Sequence, residues 1–308
     1  MDYAVKTYGL TKQYKTTLAV DNIDFAVPKG SCCGFLGKNG AGKTTALNMI
    51  VGLKRPTSGR ITIMGEEQTF GTPITTPFGY LPDVPNFYGY MTGEEFLDLC
   101  GKLCHIPTSK RKARVKELLN KVGLDNASTK INGYSRGMKQ RLGIAQAMIN
   151  DPAVIFMDEP VSALDPIGRR DVVEIIKSLG DTTVIFSTHI LADVESICDY
   201  IIIIEKGKIL AQDYLKNLRE KHSIGKAKIR LYKPEDVDLF ESHAKEHGIY
   251  AVERQSNPLE LLMHIESGDL RELSHRVMES LQHNDLAMEY FAAHTPHLED
   301  IFYETIGM

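Results

Sequence analysis

The 308-residue chain has no apolar run long enough to cross a bilayer. A spanning helix needs about 18–20 such residues, and the longest candidates, AVIFM (153–157) and YIIII (200–204), are strand-sized. The start, MDYAVKTYGL, lacks the apolar segment of a signal peptide, so a cytoplasmic location is expected. A surplus of positive charge is missing too. Thirty-six Lys and Arg face 40 Asp and Glu, a net charge of −4. That balance argues against a strongly basic nucleic-acid binder, and no nucleic-acid partner is expected. Cysteine is sparse: Cys32, Cys33, Cys100, Cys104 and Cys198 contain no C-x-x-C and do not form an even framework. They point to a reducing compartment rather than a disulfide scaffold. Cys100 and Cys104, one helical turn apart, read as packed small apolar side chains. Ligand-spaced histidines are also lacking: eight of the ten lie beyond residue 220, scattered, and read as solvated surface groups.

What is present starts with GKNGAGKTT (37–45), directly after the apolar run CCGFL (32–36). Glycine in a loop is entropically costly, so three of them close together imply a backbone that must approach something. The stretch fits G-x-x-x-x-G-K-S/T, with Gly37, Gly42, Lys43 and Thr44 in the fixed places. This is a phosphate cradle: backbone N–H groups wrap the phosphates, Lys43 reaches the β and γ positions, and the Thr44 hydroxyl holds Mg²⁺. CCGFL reads as a buried strand and TTALNMIVGL (44–53) as a helix, which gives the strand–loop–helix order the motif needs. The helix N-terminus adds partial positive charge at the anion.

Residues 1–27 alternate in short runs and predict an antiparallel β layer. Residues 84–150 read as largely helical, with Thr92 and Glu95 spaced as a capping box. Continuous apolar strands then alternate with helices, which implies a parallel sheet covered on both faces. The charged stretch LKNLREKHSIG (215–225) suits a linker. Beyond it the order is β-α-β-β-α-β, the split ferredoxin-like arrangement. The expected organisation is therefore a P-loop NTPase core over residues 1–220, with an antiparallel β layer and a helical subdomain at about 84–150. A small α+β ferredoxin-like accessory domain follows over 221–308.

Two segments downstream narrow the chemistry. AVIFMDEP (153–160) is a strand ending in adjacent carboxylates. Asp158 suits Mg²⁺, and Glu159 can orient and deprotonate an attacking water. In GYSRGMKQRL (133–142), Ser135 and Gly137 open an amphipathic helix. That end is either an ordinary serine N-cap or a second anion site.

Over residues 1–220 the chain resembles the ATP-binding subunit of an ABC transporter. GKNGAGKTT, YSRGMKQ, IFMDEP, SALD (162–165) and STH (187–189) match five motifs of that family in order. The resemblance implies an ATPase that works as a head-to-tail dimer, with itself or a paralogous subunit, each ATP gripped between one copy's phosphate loop and the other's signature serine. Carried over by residue, Lys43, Thr44 and Thr45, with the backbone of Asn39, Gly40, Ala41, Gly42 and Lys43, would hold ATP and Mg²⁺. Tyr14 would stack on adenine, Asp158 serve Mg²⁺, Glu159 act as general base, and His189 contact the γ-phosphate. Ser135 and Gly137 would clamp the partner's ATP, and Asp165 would link the two sites. The chain departs from the common pattern at Lys38, where proline is frequent, and at Arg136, which replaces a glycine. At the usual Gln/Glu position, GYLPD (79–83) supplies the shorter Asp83, expected to keep a metal-sensing role. The signature variant and the ending HTPHLEDIFYETIG resemble the subgroup serving separate ABC-2 type permeases. That implies export, with Phe87, Tyr88, Tyr90 and Met91 docking the permease and the chain peripheral on the inner membrane face. Two other readings stand: a soluble ABC-type ATPase acting on ribosomes or DNA, and a regulatory binding module whose C-terminal unit senses a ligand while ATP turnover is incidental.

Overall fold

The computed structural model describes residues 2–71, 76–125, 129–162, 164–249, 251–265 and 267–307; Ala163 of the SALD run lies outside them. Residues 2–215 with 305–307 form one compact unit and 216–304 a second. In chain order the first unit runs β1 (Tyr3–Tyr14), β2 (Thr17–Pro28), β3 (Cys32–Leu36), α1 (Lys43–Ile50), β4 (Ser58–Ile63), β5 (Glu66–Glu67) and β6 (Phe78–Leu81). It continues through α2 (Gly93–Leu103), α3 (Thr108–Lys121), α4 (Arg136–Ala147), β7 (Val154–Asp158), α5 (Pro166–Lys177), β8 (Thr183–Thr188), α6 (Leu191–Ile197), β9 (Tyr200–Glu205) and β10 (Lys208–Tyr214).

The apolar strands assemble as their patterns dictate. β3, β6, β7, β8 and β9 are parallel neighbours in a six-stranded sheet of order β10-β9-β3-β8-β7-β6, with β10 antiparallel at one edge. β7 and β8 are buried along their whole length, hence their continuous apolar runs. The amino-terminal residues form the antiparallel layer, of order β2-β1-β4-β5. Ala46, Leu47, Met49 and Ile50 of α1 share one core with Val5, Phe25 and Ile63 of that layer and Phe35, Phe156 and Ile202 of the parallel sheet. The phosphate loop therefore leaves a central strand and enters a helix buried from both sides. The capping box is present: Glu95 N–H donates to Thr92 Oγ1 at 3.2 Å and Thr92 N–H to Glu95 Oε2 at 2.8 Å.

The stretch expected as a linker is instead helical, α7 (Leu215–Ser223). Leu215 and Leu218 are buried at helical spacing, and that apolar pair outweighs the surrounding charge. The second unit adds β11 (Lys226–Leu231), α8 (Pro234–Ala244), β12 (Ala251–Arg254), β13 (Glu260–His264), α9 (Leu270–His283) and β14 (Met288–Ala293), and α10 (Leu298–Thr305) follows. Its antiparallel sheet has order β12-β13-β11-β14, the strand order of the split β-α-β-β-α-β arrangement. Ile229, Leu261, Val237, Phe240, Leu273 and Val277 form its core. Phe240 is fully buried there. Phe240→Ala is expected to remove about 3–5 kcal/mol of stability. Thermal unfolding monitored by circular dichroism checks this.

Two readings of polar side chains are corrected. Cys104 caps the C-terminus of α2 and is exposed rather than packed, while Cys100 is half-buried. Burial pushes the Cys100 thiol up to about 11. His294 is only 7% exposed rather than solvated. Burial first, then the nearby charge of Lys228, hold its pKa below the usual histidine value.

Candidate functional site

The glycines of the loop have steric reasons. Gly42 precedes α1 at φ 109°, a conformation that side chains oppose, and a Cβ there would lie 2.6 Å from the Ala19 carbonyl oxygen. At Gly37 a Cβ would meet Ile204 O at 2.4 Å. The loop is thus folded tightly against β2 and β9, and its bare backbone borders a cleft of about 390 Å³. Asn39, Gly40, Gly42, Lys43, Thr44 and Thr45 line it from the loop, with Asp83, Glu159 and His189 from the ends of three other segments. Ala19 and Ser162 line it too, and sequence reasoning assigned them nothing.

Lys43 is 6% exposed. Its ammonium donates to Gly37 O at 2.7 Å and Lys38 O at 3.3 Å, and lies 3.4 Å from Glu159 Oε1. His189 Nδ1 sits 3.1 Å from Glu159 Oε2. Glu159 therefore stands between a cation and an imidazole, on backbone held at φ 48°. Its N–H donates to both the carbonyl and the hydroxyl of Ser187, each at 3.1 Å. These bonds hold a non-glycine residue in the left-handed region, a placement common at functional sites.

Asp158 is buried beneath the cleft. Its Oδ1 accepts from Thr44 Oγ1 at 3.1 Å and from Ser187 Oγ at 2.5 Å. Ser187 stood inside the STH run, but its anchoring of the Asp158 carboxylate and of the Glu159 backbone N–H depends on β7 and β8 being neighbours. Two oxygen donors, Thr44 and Asp158, converge at the loop's helix end, a set that suits a hard divalent cation. Asp83 remains solvent-exposed overall, yet its carboxyl titrates above the ordinary carboxylate range. Desolvation is the largest cause, followed by the Asp158 and Glu159 charges, with Arg136 pulling the other way. The Tyr80 hydroxyl, which donates to Asn48 Oδ1 at 3.0 Å, is pushed up to about 12, by burial first and then by Asp158 and Asp83.

Other candidate residues stand apart from this cleft. Tyr14 ends β1 at the hairpin tip, its ring flanked by Lys12 and Lys54 at 5.1 and 5.6 Å. Ser135 N-caps α4, its Oγ accepting from Met138 N–H at 3.2 Å, with Gly137 one residue into the helix. Asp165 caps α5 by accepting from Gly168 N–H at 3.0 Å. Gly137 also lies close to Gly168, where a Cβ would be 4.0 Å from the Gly168 Cα. The two capped helix ends thus form one face. Ala41 is buried within the loop.

The chain resembles known proteins in sequence and in fold. Residues 20–162 match the family model described as ABC transporter. The ABC transporter ATP-binding protein YxlF of Bacillus subtilis is 44% identical over 69% of this chain and 71% of its own length. The bacitracin transport ATP-binding protein BcrA of Bacillus licheniformis is 40% identical over 72% and 74%. The daunorubicin resistance ATP-binding protein DrrA2 of Streptomyces coeruleorubidus is 30% identical over 99% and 95%. Among solved structures, a dimeric post-hydrolysis state of the ATP-binding cassette MJ0796, bound to ADP and Pi, superposes with a TM-score of 0.62 at 26% identity, covering 68% of this chain and 98% of that one. Motifs, fold, cleft and relatives agree: the chain belongs to the ABC transporter family, as an ATP-binding and ATP-hydrolysing subunit.

Proposed function

We propose that the chain powers export through separate transmembrane subunits of the ABC-2 type. The observation that carries this reading is the relative sharing 99% of the chain, carboxy-terminal unit included, and named for daunorubicin resistance; BcrA, named for bacitracin transport, adds to it. Nothing in the names of these relatives points to ribosomes or DNA.

In this reading the chain works as a head-to-tail pair, with itself or a paralogue, on the inner face of the membrane. Lys43 and the loop N–H groups, including those of Gly40 and Ala41, grip the phosphates, and Thr45 and Tyr14 complete the nucleotide contacts. Ser135 and Gly137 of one copy close over the ATP of the other. Thr44 and Asp158 would hold Mg²⁺, with Asp83 nearby; the ion would neutralise phosphate charge. Glu159 takes the proton of the attacking water, and His189, already hydrogen-bonded to it, faces the γ-phosphate. Residues 1–220 serve as the nucleotide-binding domain and 221–308 as an accessory domain.

Asp83→Ala is expected to lower ATPase activity by about tenfold, the scale at which outer-sphere partners of a metal act. Steady-state phosphate release across a Mg²⁺ titration measures this, and an unchanged rate removes the assigned role.

Tyr88 and Tyr90 are 54% and 69% exposed, beside the edge-on pair Phe87–Phe96 with ring centres 5.1 Å apart. Exposed aromatics suit an interface core, so this patch is assigned to the permease. The test is affinity capture of the chain from detergent-solubilised native membranes. A multispan membrane protein is expected in the eluate and expected to be lost with Tyr88→Ala/Tyr90→Ala, whose ATPase activity persists. Ribosomal proteins in place of a membrane partner refute the export reading.

A further inference from the structure

Two cysteines outside the cleft meet on one face of β3. Cys32 Sγ and Cys198 Sγ are 3.8 Å apart. Cys32 is the first residue of β3 and Cys198 caps the C-terminus of α6. The backbone around them is fixed: Cys32 N–H donates to Asp199 Oδ1 at 2.8 Å, and Asp199 N–H to Cys32 O at 3.1 Å. Strand alternation puts Gly34 on the same face as Cys32. A Cβ at Gly34 would lie 2.4 Å from Val194 and 3.3 Å from Cys198 Sγ, so α6 packs directly on the bare strand. Cys33 faces the opposite way, into the core, and does not compete. A disulfide needs about 2.05 Å between sulfurs, and small side-chain rotations close a contact of this kind. Cys32 is partly exposed and open to reagents, whereas Cys198 is buried.

The opposite end of α6 bears on catalysis. The helix begins two residues after His189, and Asp193 within it accepts both bonds from Arg169 Nε of α5, at 2.7 and 2.8 Å. A bond at Cys198 would add a covalent tie at the other end of this clamped helix, where it already packs on the strand that feeds the phosphate loop.

We propose that Cys32 and Cys198 are a reversible thiol–disulfide switch: a small-molecule disulfide such as oxidised glutathione closes a bond that ties α6 to β3 and slows ATP turnover. The Cys32 thiolate attacks one sulfur of oxidised glutathione and expels a glutathione thiolate. Cys198, having given up its proton, then attacks Cys32 Sγ of the mixed disulfide and releases the second glutathione. Two electrons pass to the oxidant and two thiol protons leave with the glutathiones or to water. Burial raises the Cys198 thiol well above its ordinary value, which makes the second step the slow one. The kinetic half rests on the role proposed for His189; formation of the bond does not.

The experiment incubates the full-length protein with oxidised glutathione, blocks remaining thiols and maps peptides by mass spectrometry without reduction. A peptide linked through Cys32 and Cys198 is expected, absent in Cys32→Ser and in Cys198→Ser. ATPase activity is expected to fall by about fivefold, the low end of ordinary coupling between sites. It is expected to recover with dithiothreitol and to be insensitive to the oxidant in Cys198→Ser, or in Cys198→Ala should the serine variant fold poorly. A glutathione adduct that persists on Cys32 without a linked peptide overturns the proposal. So does a linked protein with unchanged turnover, or an activity loss that survives in both Cys198 variants. His189→Ala, assayed in reductant, reports on the His189 role separately.

Discussion

Glu159→Gln is expected to keep nucleotide binding while losing turnover by about 10²–10⁴-fold, the usual contribution of a general base. The amide matches the carboxylate in size but cannot take the proton of the attacking water. The surrounding geometry should survive. The backbone of residue 159 is anchored by its own N–H to Ser187, which does not depend on the side chain. The contact at 3.1 Å with His189 can be kept by the amide oxygen. The ion pair at 3.4 Å with Lys43 is lost, which frees that ammonium for phosphate. Binding therefore outlasts chemistry, and a closed pair should accumulate. Single-turnover hydrolysis and size-exclusion chromatography with ATP measure the two halves. Wild-type turnover in the variant, or a solely monomeric variant that still binds ATP, contradicts the assignment.

The phosphate loop could be read from the sequence because its spacing is a local pattern and Gly42 stands at φ 109°, which favours glycine; the collisions that a Cβ would meet at Gly42 and Gly37 come instead from β2 and β9. Asp158 and Glu159 were legible for a related reason, since a fully apolar strand ending in two acids is a local pattern. Residues that enter the site through sheet neighbours were not. Ala19 comes from β2, and the Ser187 hydroxyl joins Asp158 only because β7 and β8 run side by side. The helix α7 was hidden by its charges, although Leu215 and Leu218 carried its apolar spacing. His294 and Cys104 were misjudged because side-chain polarity says little about where a particular segment packs.

Lys43→Ala should produce the opposite pattern to Glu159→Gln, with binding lost first. The ammonium is almost fully enclosed and makes three contacts, to Gly37 O, Lys38 O and Glu159. Truncation leaves a carboxylate without its cation at the place where phosphate must arrive, so an attraction is exchanged for an uncompensated repulsion. A hydrogen bond to a charged group contributes about 1.5–3 kcal/mol, so the Kd for ATP should rise roughly 10–10²-fold on that account alone. The stranded Glu159 charge pushes it further in the same direction. Lys43→Arg tests whether charge alone suffices. The planar guanidinium is wider than the ammonium and Lys43 is almost fully enclosed, so it should recover little affinity. Combining the two changes is informative: adding Glu159→Gln to Lys43→Ala removes the stranded carboxylate and should restore part of the lost binding without restoring turnover. Equilibrium titration with a fluorescent ATP analogue on the single and double variants measures this, and an unchanged Kd in Lys43→Ala would separate the lysine from the nucleotide.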